Sequence, residues 1–225
     1  MEKKIYQLNK ELWPLGLQEI PEPPKQLNII GSPPPKENIN ICIVGSRKNT
    51  EYGKKVCEEL IKGLKGYPFS IISGLALGID GIAHQAAIDA ELYTAAVIGS
   101  GLNQIYPKSH MKLAGDILNS GGAIISEYAN DDKASKYTFP ERNRIMAGMS
   151  HAVLVIEATD RSGTLITSRL ATEYNRDVLA VPGPVDSDGS FGPHMLIKLG
   201  AVPITSSEDI LEYFSPPKLA KIKYI

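Results

Sequence analysis

From residue 41 onward the chain alternates short, almost wholly apolar runs with longer segments whose apolar residues recur every three or four positions. The runs Ile41 to Val44, Phe69 to Ile72, Thr94 to Ile98, Ala123 to Ile125, Ala152 to Ile156, Val178 to Val181 and Ala201 to Ile204 have the length and composition of strands. Between them, helical spacing predicts helices near residues 51–65, 79–90, 109–120, 141–149, 163–175 and 193–199, with a last one at 207–213. Strands that are apolar at successive positions, rather than at alternate ones, are buried on both faces, as a parallel sheet covered by helices requires. The predicted fold class is therefore α/β, a doubly wound, mostly parallel sheet with helices on both faces.

Residues 1–40 follow a different rule. Pro14, Pro21, Pro23, Pro24 and the run Pro33-Pro34-Pro35 remove backbone donors and forbid long helices, which predicts an extended arm. Trp13, Leu15, Leu17, Ile20, Leu27, Ile29 and Ile30 are too apolar for a solvated linker, so the arm is expected to lie against a main domain of residues 41–214. Residues 215–225, with Lys218, Lys221 and Lys223, read as a basic, solvated tail.

Composition narrows the chemistry. The 225 residues include 24 Lys and Arg against 25 Asp and Glu, so a polyanion must be held by a local cluster of cations rather than by overall charge. The two cysteines, Cys42 in an apolar run and Cys57 in a helical pattern, offer neither a disulfide framework nor metal-ligand spacing. They suit a reducing interior, and no metal or cofactor is expected. With no apolar run long enough to cross a membrane and no signal-like opening, the expected location is the cytoplasm.

Right-handed crossovers bring the turn after each strand to one edge of a parallel sheet, where ligands of such folds bind. Those turns read Gly45-Ser46-Arg47-Lys48, Ser73-Gly74-Leu75-Ala76-Leu77-Gly78, Gly99-Ser100-Gly101-Leu102 and, beyond Glu157, Ser162-Gly163-Thr164. The amides of Gly45 and Ser46 ahead of a helix could hold a phosphate that Arg47 clamps, or the residues could simply turn the chain. Gly99-Ser100-Gly101 begins like a dinucleotide loop, but Gln104 stands at the third glycine position and no phosphate-cradling G-x-x-x-x-G-K-[ST] occurs, so neither NAD nor ATP is expected.

Residues 136–144, Lys-Tyr-Thr-Phe-Pro-Glu-Arg-Asn-Arg, hold three cations against one acid, with Tyr137 and Phe139 interleaved. Cations that follow a backbone, with a ring that stacks on an unpaired base, suit single-stranded nucleic acid. The same run also suits an ordinary helix start, with Pro140 in the first turn, Phe139 in the core and Arg142 paired with Glu141 or Glu127. His84, on an otherwise apolar helical pattern without a nucleophile partner, reads as a packing residue rather than a base. Asp80, Glu127, Glu157 and Glu173 could gather as a carboxylate site, but neutralising arginines such as Arg142, Arg144, Arg161 or Arg169 is the preferred role.

The ordered segments IVGSRKNTEYG, SGLALGIDGIAHQAAI, VIGSGLNQIYP, ISEY, FPERNRIMAGMS, VIEATDRSGTLITSRLATEYNRDVLAVPG and GPHMLIKLGA resemble the DNA-processing protein A family, also called Smf, and WPLGLQEIPEPPKQLNIIG resembles its preceding extended piece. The resemblance implies an extended Rossmann-like domain that binds single-stranded DNA without catalysis, protects incoming DNA in natural transformation and helps load the RecA recombinase. Gly45, Ser46 and Arg47 match the family's glycine-serine-arginine loop, Lys136 a phosphate contact and Phe139 a base contact. Arg142, Asn143 and Arg144 fill the rest of that motif, and Gly163 and Thr164 join the implied DNA-binding set. The family also dimerises through its late Rossmann-like part; here Met195, Leu196, Ile197, Leu199 and Ile204 could serve, or could be core. Neither the helical domain nor the winged-helix domain that many members carry is matched. A rival resemblance is to cytokinin-activating phosphoribohydrolases, which would make the protein a nucleotide-processing enzyme; their P-G-G-x-G-T loop is replaced by Asp160-Arg161-Ser162-Gly163-Thr164.

Overall fold

The computed structural model describes residues 4–160 and 162–215; Arg161 and the tail lysines lie outside them. In chain order the elements are β1 (Tyr6–Gln7), α1 (Leu15–Glu19), β2 (Asn28–Gly31), β3 (Ile39–Val44), α2 (Glu51–Gly63), β4 (Phe69–Ser73), α3 (Ile79–Asp89), β5 (Tyr93–Val97) and α4 (Met111–Asn119). They continue as β6 (Ala123–Ser126), α5 (Thr138–Met149), β7 (Ala152–Val155), α6 (Thr164–Glu173), β8 (Asp177–Ala180), α7 (Phe191–Lys198), β9 (Val202–Pro203) and α8 (Ser207–Phe214).

The strands form one sheet in the order β1-β2-β6-β5-β4-β3-β7-β8-β9. All neighbours from β6 to β9 run parallel. Because successive side chains of a strand point to opposite faces, apolar residues at every position feed two cores at once. Ile41 and Ile43 of β3 pack with Cys57, Leu60 and Ile61 of α2 and Ala83 and Ala87 of α3. Cys42 and Val44 turn the other way, into a cluster with Ile145 and Met149 of α5 and Ala171 of α6. The chain winds outward from β3 through β4, β5 and β6, returns along α5 to β7, and then winds outward through β8 and β9. β3 and β7 are therefore adjacent parallel strands whose following connections part to opposite faces, the switch point of a doubly wound, Rossmann-like sheet.

The proline-rich segment is more regular than an extended arm. β2 pairs antiparallel with β6, and β1 pairs antiparallel with β2. The four residues of β2 lie between Pro24 and Pro33 and contain no proline, so they keep every donor a strand ladder needs. α1 starts after Pro14, and Pro21 follows its C-cap, so it stays one turn and a fraction long. Leu17 and Ile20 meet α5 at Gly148, where an added Cβ would come within 3.0 Å of both side chains. Trp13 is 4% exposed and its Nε1–H donates to the Leu8 carbonyl at 3.1 Å.

Two expectations are corrected. α5 begins at Thr138 rather than near 141, because Pro140 falls within the first turn, where its missing N–H has no intrahelical partner to lose. Ile204 is fully buried beneath α8 in the cluster that includes Leu179 and Ile210, so it is core and has no surface to offer a second subunit.

His84 is also interior, with no exposed surface. The Thr94 hydroxyl donates to the Ile71 carbonyl at 2.9 Å, so it accepts from Nδ1–H of His84 at 2.7 Å, which fixes the neutral tautomer. Nε2 is left buried without a partner. Burial first, then the charges of His110 and Arg142, push this imidazole down to about 3.

Trp13→Ala is expected to cost ~3–5 kcal/mol of stability in urea unfolding, as a large buried side chain removed from a core does. A loss under about 1 kcal/mol, within the range of surface substitutions, would show that the arm is not integral to the fold. Because the folded His84 binds its proton only near pH 3, its contribution to stability is complete above the unfolded value of 6.5 and is lost as the pH falls between the two. The slope is about 1.4 kcal/mol per pH unit. His84→Gln should flatten the acid limb of a stability–pH curve; an unchanged limb would contradict the assignment.

Candidate nucleic-acid interface

At the switch point the turn after β3 has to leave the sheet between two other loops, and the contacts that let it do so are specific. The Ile79 N–H at the start of α3 donates to the Ser46 carbonyl at 3.1 Å. The preceding Gly78, at φ +77°, lies so close that a Cβ would sit 2.2 Å from the same oxygen. No other residue type fits that backbone and that gap together. On the other side the Thr164 hydroxyl of α6 donates to the Gly45 carbonyl at 3.1 Å, tying the turns after β3 and β7 to each other. Ser46 Oγ accepts from the Lys48 N–H at 3.1 Å, which closes the turn and leaves the Arg47 side chain exposed.

Two helices begin here. Thr50 caps α2 by accepting from the Gly53 N–H at 3.1 Å, and the buried Glu157 holds Thr50 by accepting from its N–H at 3.0 Å and from its hydroxyl. Glu157 is thus a structural cap. The α6 N-cap is Gly163; Ser162 Oγ accepts from the Thr164 N–H at 3.2 Å and the Ser162 and Gly163 carbonyls accept from the Leu165 and Ile166 amides, so this helix start offers the loops around it the field of its positive end.

These loops bound an open cleft of about 1100 Å³. Gly45, Ser46, Arg47, Lys136, Phe139, Arg142, Asn143, Gly163 and Thr164 all line it, together with Lys48 and Tyr106. The Arg47 guanidinium lies over the Phe139 ring at 5.3 Å, a cation–π contact that joins the turn after β3 to the start of α5. Lys136 is exposed on the rim and touches the ring of its neighbour Tyr137 at 4.9 Å.

Arg142 and Arg144 differ from the surface phosphate contacts expected of them. Arg142 is 3% exposed and forms the cleft floor, donating to the Val97 carbonyl at 2.5 Å, while its Nε has no partner. Gly74 makes room for it, since a Cβ there would lie 1.8 Å from Nη1. The opposite charge nearby is Asp80, 6% exposed, whose carboxyl burial pushes up while Arg142 and the amides of Ala76 and Gly74 pull it back. Burial likewise pulls the Arg142 pKa down, and Asp80 opposes that. Arg144 does not line the cleft. It is largely covered and paired with Glu127, so its charge is already neutralised. Glu173 pairs with Arg169 at 2.7 Å on the exposed face of α6.

Tyr106 was not singled out by sequence. Its place at the end of the Gly99 loop, in Ile-Tyr-Pro, carries no periodic signal, and only the fold brings its ring to 5.6 Å from Phe139. Among the described residues, no three His, Cys, Asp or Glu side chains are placed to hold a metal ion, and no helix is long and apolar enough to cross a membrane. Of the residues proposed for subunit contact, Met195, Leu196 and Ile197 are half-buried and Leu199 is 76% exposed.

Comparison with known proteins agrees with this architecture. Protein Smf of Escherichia coli (strain K12) is 43% identical over 204 residues, which is 91% of this chain and 54% of that protein. The chain thus spans about half the length of that relative. The X-ray structure of DNA processing protein A from Streptococcus pneumoniae matches at a TM-score of 0.88 with 38% identity, over 96% of this chain and 76% of that one. DNA processing protein A from Helicobacter pylori, whose structure is described for its single-stranded DNA binding mode, matches at 0.83 with 28% identity, over 94% and 96%. The family description of DNA recombination-mediator protein A fits residues 4–215, from the first paired strand to the end of the last helix, and the chain belongs to that family.

Proposed function

We propose that the protein binds single-stranded DNA in the switch-point cleft and catalyses no reaction on it. The observation that carries this reading is the meeting, in one cleft, of exposed Arg47, Lys48 and Lys136 with the Phe139 ring and the start of α6. Phosphates sit on the Gly45 to Arg47 turn, on Lys136 and against Gly163 and Thr164; a base lies along Phe139. Duplex DNA hides the faces of its bases, so an aromatic wall inside a cationic cleft favours the unpaired strand. Asn143 lines the same wall, while Arg142 sets the potential of the floor from below.

Binding without chemistry fits protection of single strands in the cytoplasm and their delivery to RecA, in transformation or recombination. It also fits a homodimer built on α7, where Phe191 and Leu199 are 51% and 76% exposed beside Met195, Leu196 and Ile197. The relatives named above, one of them described for single-stranded DNA binding, support the same reading.

In fluorescence anisotropy the protein should bind single-stranded oligonucleotides far more tightly than duplex. Phosphates neutralised by the three exposed cations Arg47, Lys48 and Lys136 give a log–log salt slope of about −2, and Arg47→Ala or Lys136→Ala should each flatten it by ~0.7. Phe139→Ala should cost about 1–3 kcal/mol of affinity. Equal affinity for duplex, or a salt-independent affinity, would overturn the proposal, as would release of free base from nucleoside monophosphates. In sedimentation, Leu199→Glu should convert dimers to monomers; an unchanged mass would remove α7 from the interface.

A further inference from the structure

We infer that Tyr106 is a second base-stacking residue, so that the cleft seats two successive bases rather than one. The inference rests on the proposed function and extends its site beyond Phe139.

The Phe139 ring is only half exposed. The Arg47 guanidinium stands 5.3 Å from its centroid, and the backbone at Gly99 packs against its edge, where a Cβ would come within 3.2 Å of Cδ1. Part of this ring is therefore already occupied by the protein. Tyr106 continues the aromatic surface outward: its ring centroid is 5.6 Å from that of Phe139, the planes are tilted by 43°, and the residue is 54% exposed while lining the cleft. Tyr137 is more exposed, at 67%, but it lines no part of the cleft.

An exposed tyrosine by itself is common on protein surfaces. What distinguishes Tyr106 is that its loop is held in place before any ligand arrives. The Ser100 hydroxyl donates to the Gln104 carbonyl at 2.6 Å, and the Ser126 hydroxyl donates to the Ser100 carbonyl at 2.6 Å. The Gly101 N–H reaches the Asp132 carbonyl at 2.8 Å, and the Asn103 N–H reaches the Asn130 carbonyl at 2.8 Å. The Asn103 side chain adds a further bond to Asp131 at 2.8 Å. A ring presented on a fixed loop loses little conformational entropy when a base lands on it, which is the arrangement by which single-strand binders stack successive bases.

The test compares oligothymidylate with an abasic deoxyribose-phosphate oligomer of the same length, on wild type, Tyr106→Ala and Tyr106→Phe. Tyr106→Ala should weaken oligothymidylate binding roughly 5- to 150-fold. It should leave the abasic oligomer and the thermal midpoint unchanged. Tyr106→Phe should bind like wild type, since the ring and not the hydroxyl makes the contact. In a strand carrying 2-aminopurine, the fluorescence quenching seen with wild type should diminish with Tyr106→Ala and persist with Tyr106→Phe. If wild type binds oligothymidylate and Tyr106→Ala binds it equally well, this assignment fails and the proposed function stands. Equal loss for the based and abasic strands would likewise show that the residue shapes the loop without touching a base. If wild type binds neither strand, the proposed function fails and takes this inference with it.

Discussion

Two neighbouring parallel strands that send their connections to opposite faces of a sheet leave a crevice that the core cannot fill, and everything distinctive about this protein is built around that gap. The turn after β3 passes between those after β4 and β7, closely enough to the former for Gly78 to have no room for a side chain. The same closeness lets Thr164 bond across to Gly45 and Ile79 to Ser46. The result is a rim of cross-tied turns, onto which Arg47 and Lys136 add full charges. A chain whose formal net charge is only −1 in this way concentrates positive potential at one place.

The floor of the cleft follows a different logic from its rim. Arg142 lies inside the protein, where a charge is costly unless it is opposed and hydrogen-bonded. Asp80 supplies the opposing charge and the Val97 carbonyl an acceptor, and Gly74 leaves the space. Its Nε is nonetheless buried without a partner, so the floor keeps one unused donor. Arg144, two residues on, is directed to Glu127 instead and plays no part in the cleft. Two positions on nearly opposite faces of one helix thus separate a cation that shapes the site from one that fastens α5 to the loop after β6.

Much of this was legible in the sequence because parallel strands buried on both faces write unbroken apolar runs. β3 to β8 therefore stand out, while β2 does not: four residues among prolines carry no periodicity, and only pairing with β6 makes them a strand. The site turns were legible as glycine-rich breaks after strands, and Arg47, Lys136 and Phe139 as a pattern of charge and ring. Pairing partners were not, because neighbours in space lie far apart in sequence; Arg144 meets Glu127 only after α5 folds back over the sheet. Tyr106 escaped notice for the same reason, and Ile204 was misplaced because a short edge strand and a surface helix share the same few apolar residues.

A crystal structure of the protein with a short oligothymidylate shows directly where a strand lies. Phosphates on the Gly45 to Arg47 turn and beside Lys136, with a base against Phe139, are the expected result. A strand seated along the proline-rich segment or on α7, with the space between β3 and β7 left to solvent, would contradict it.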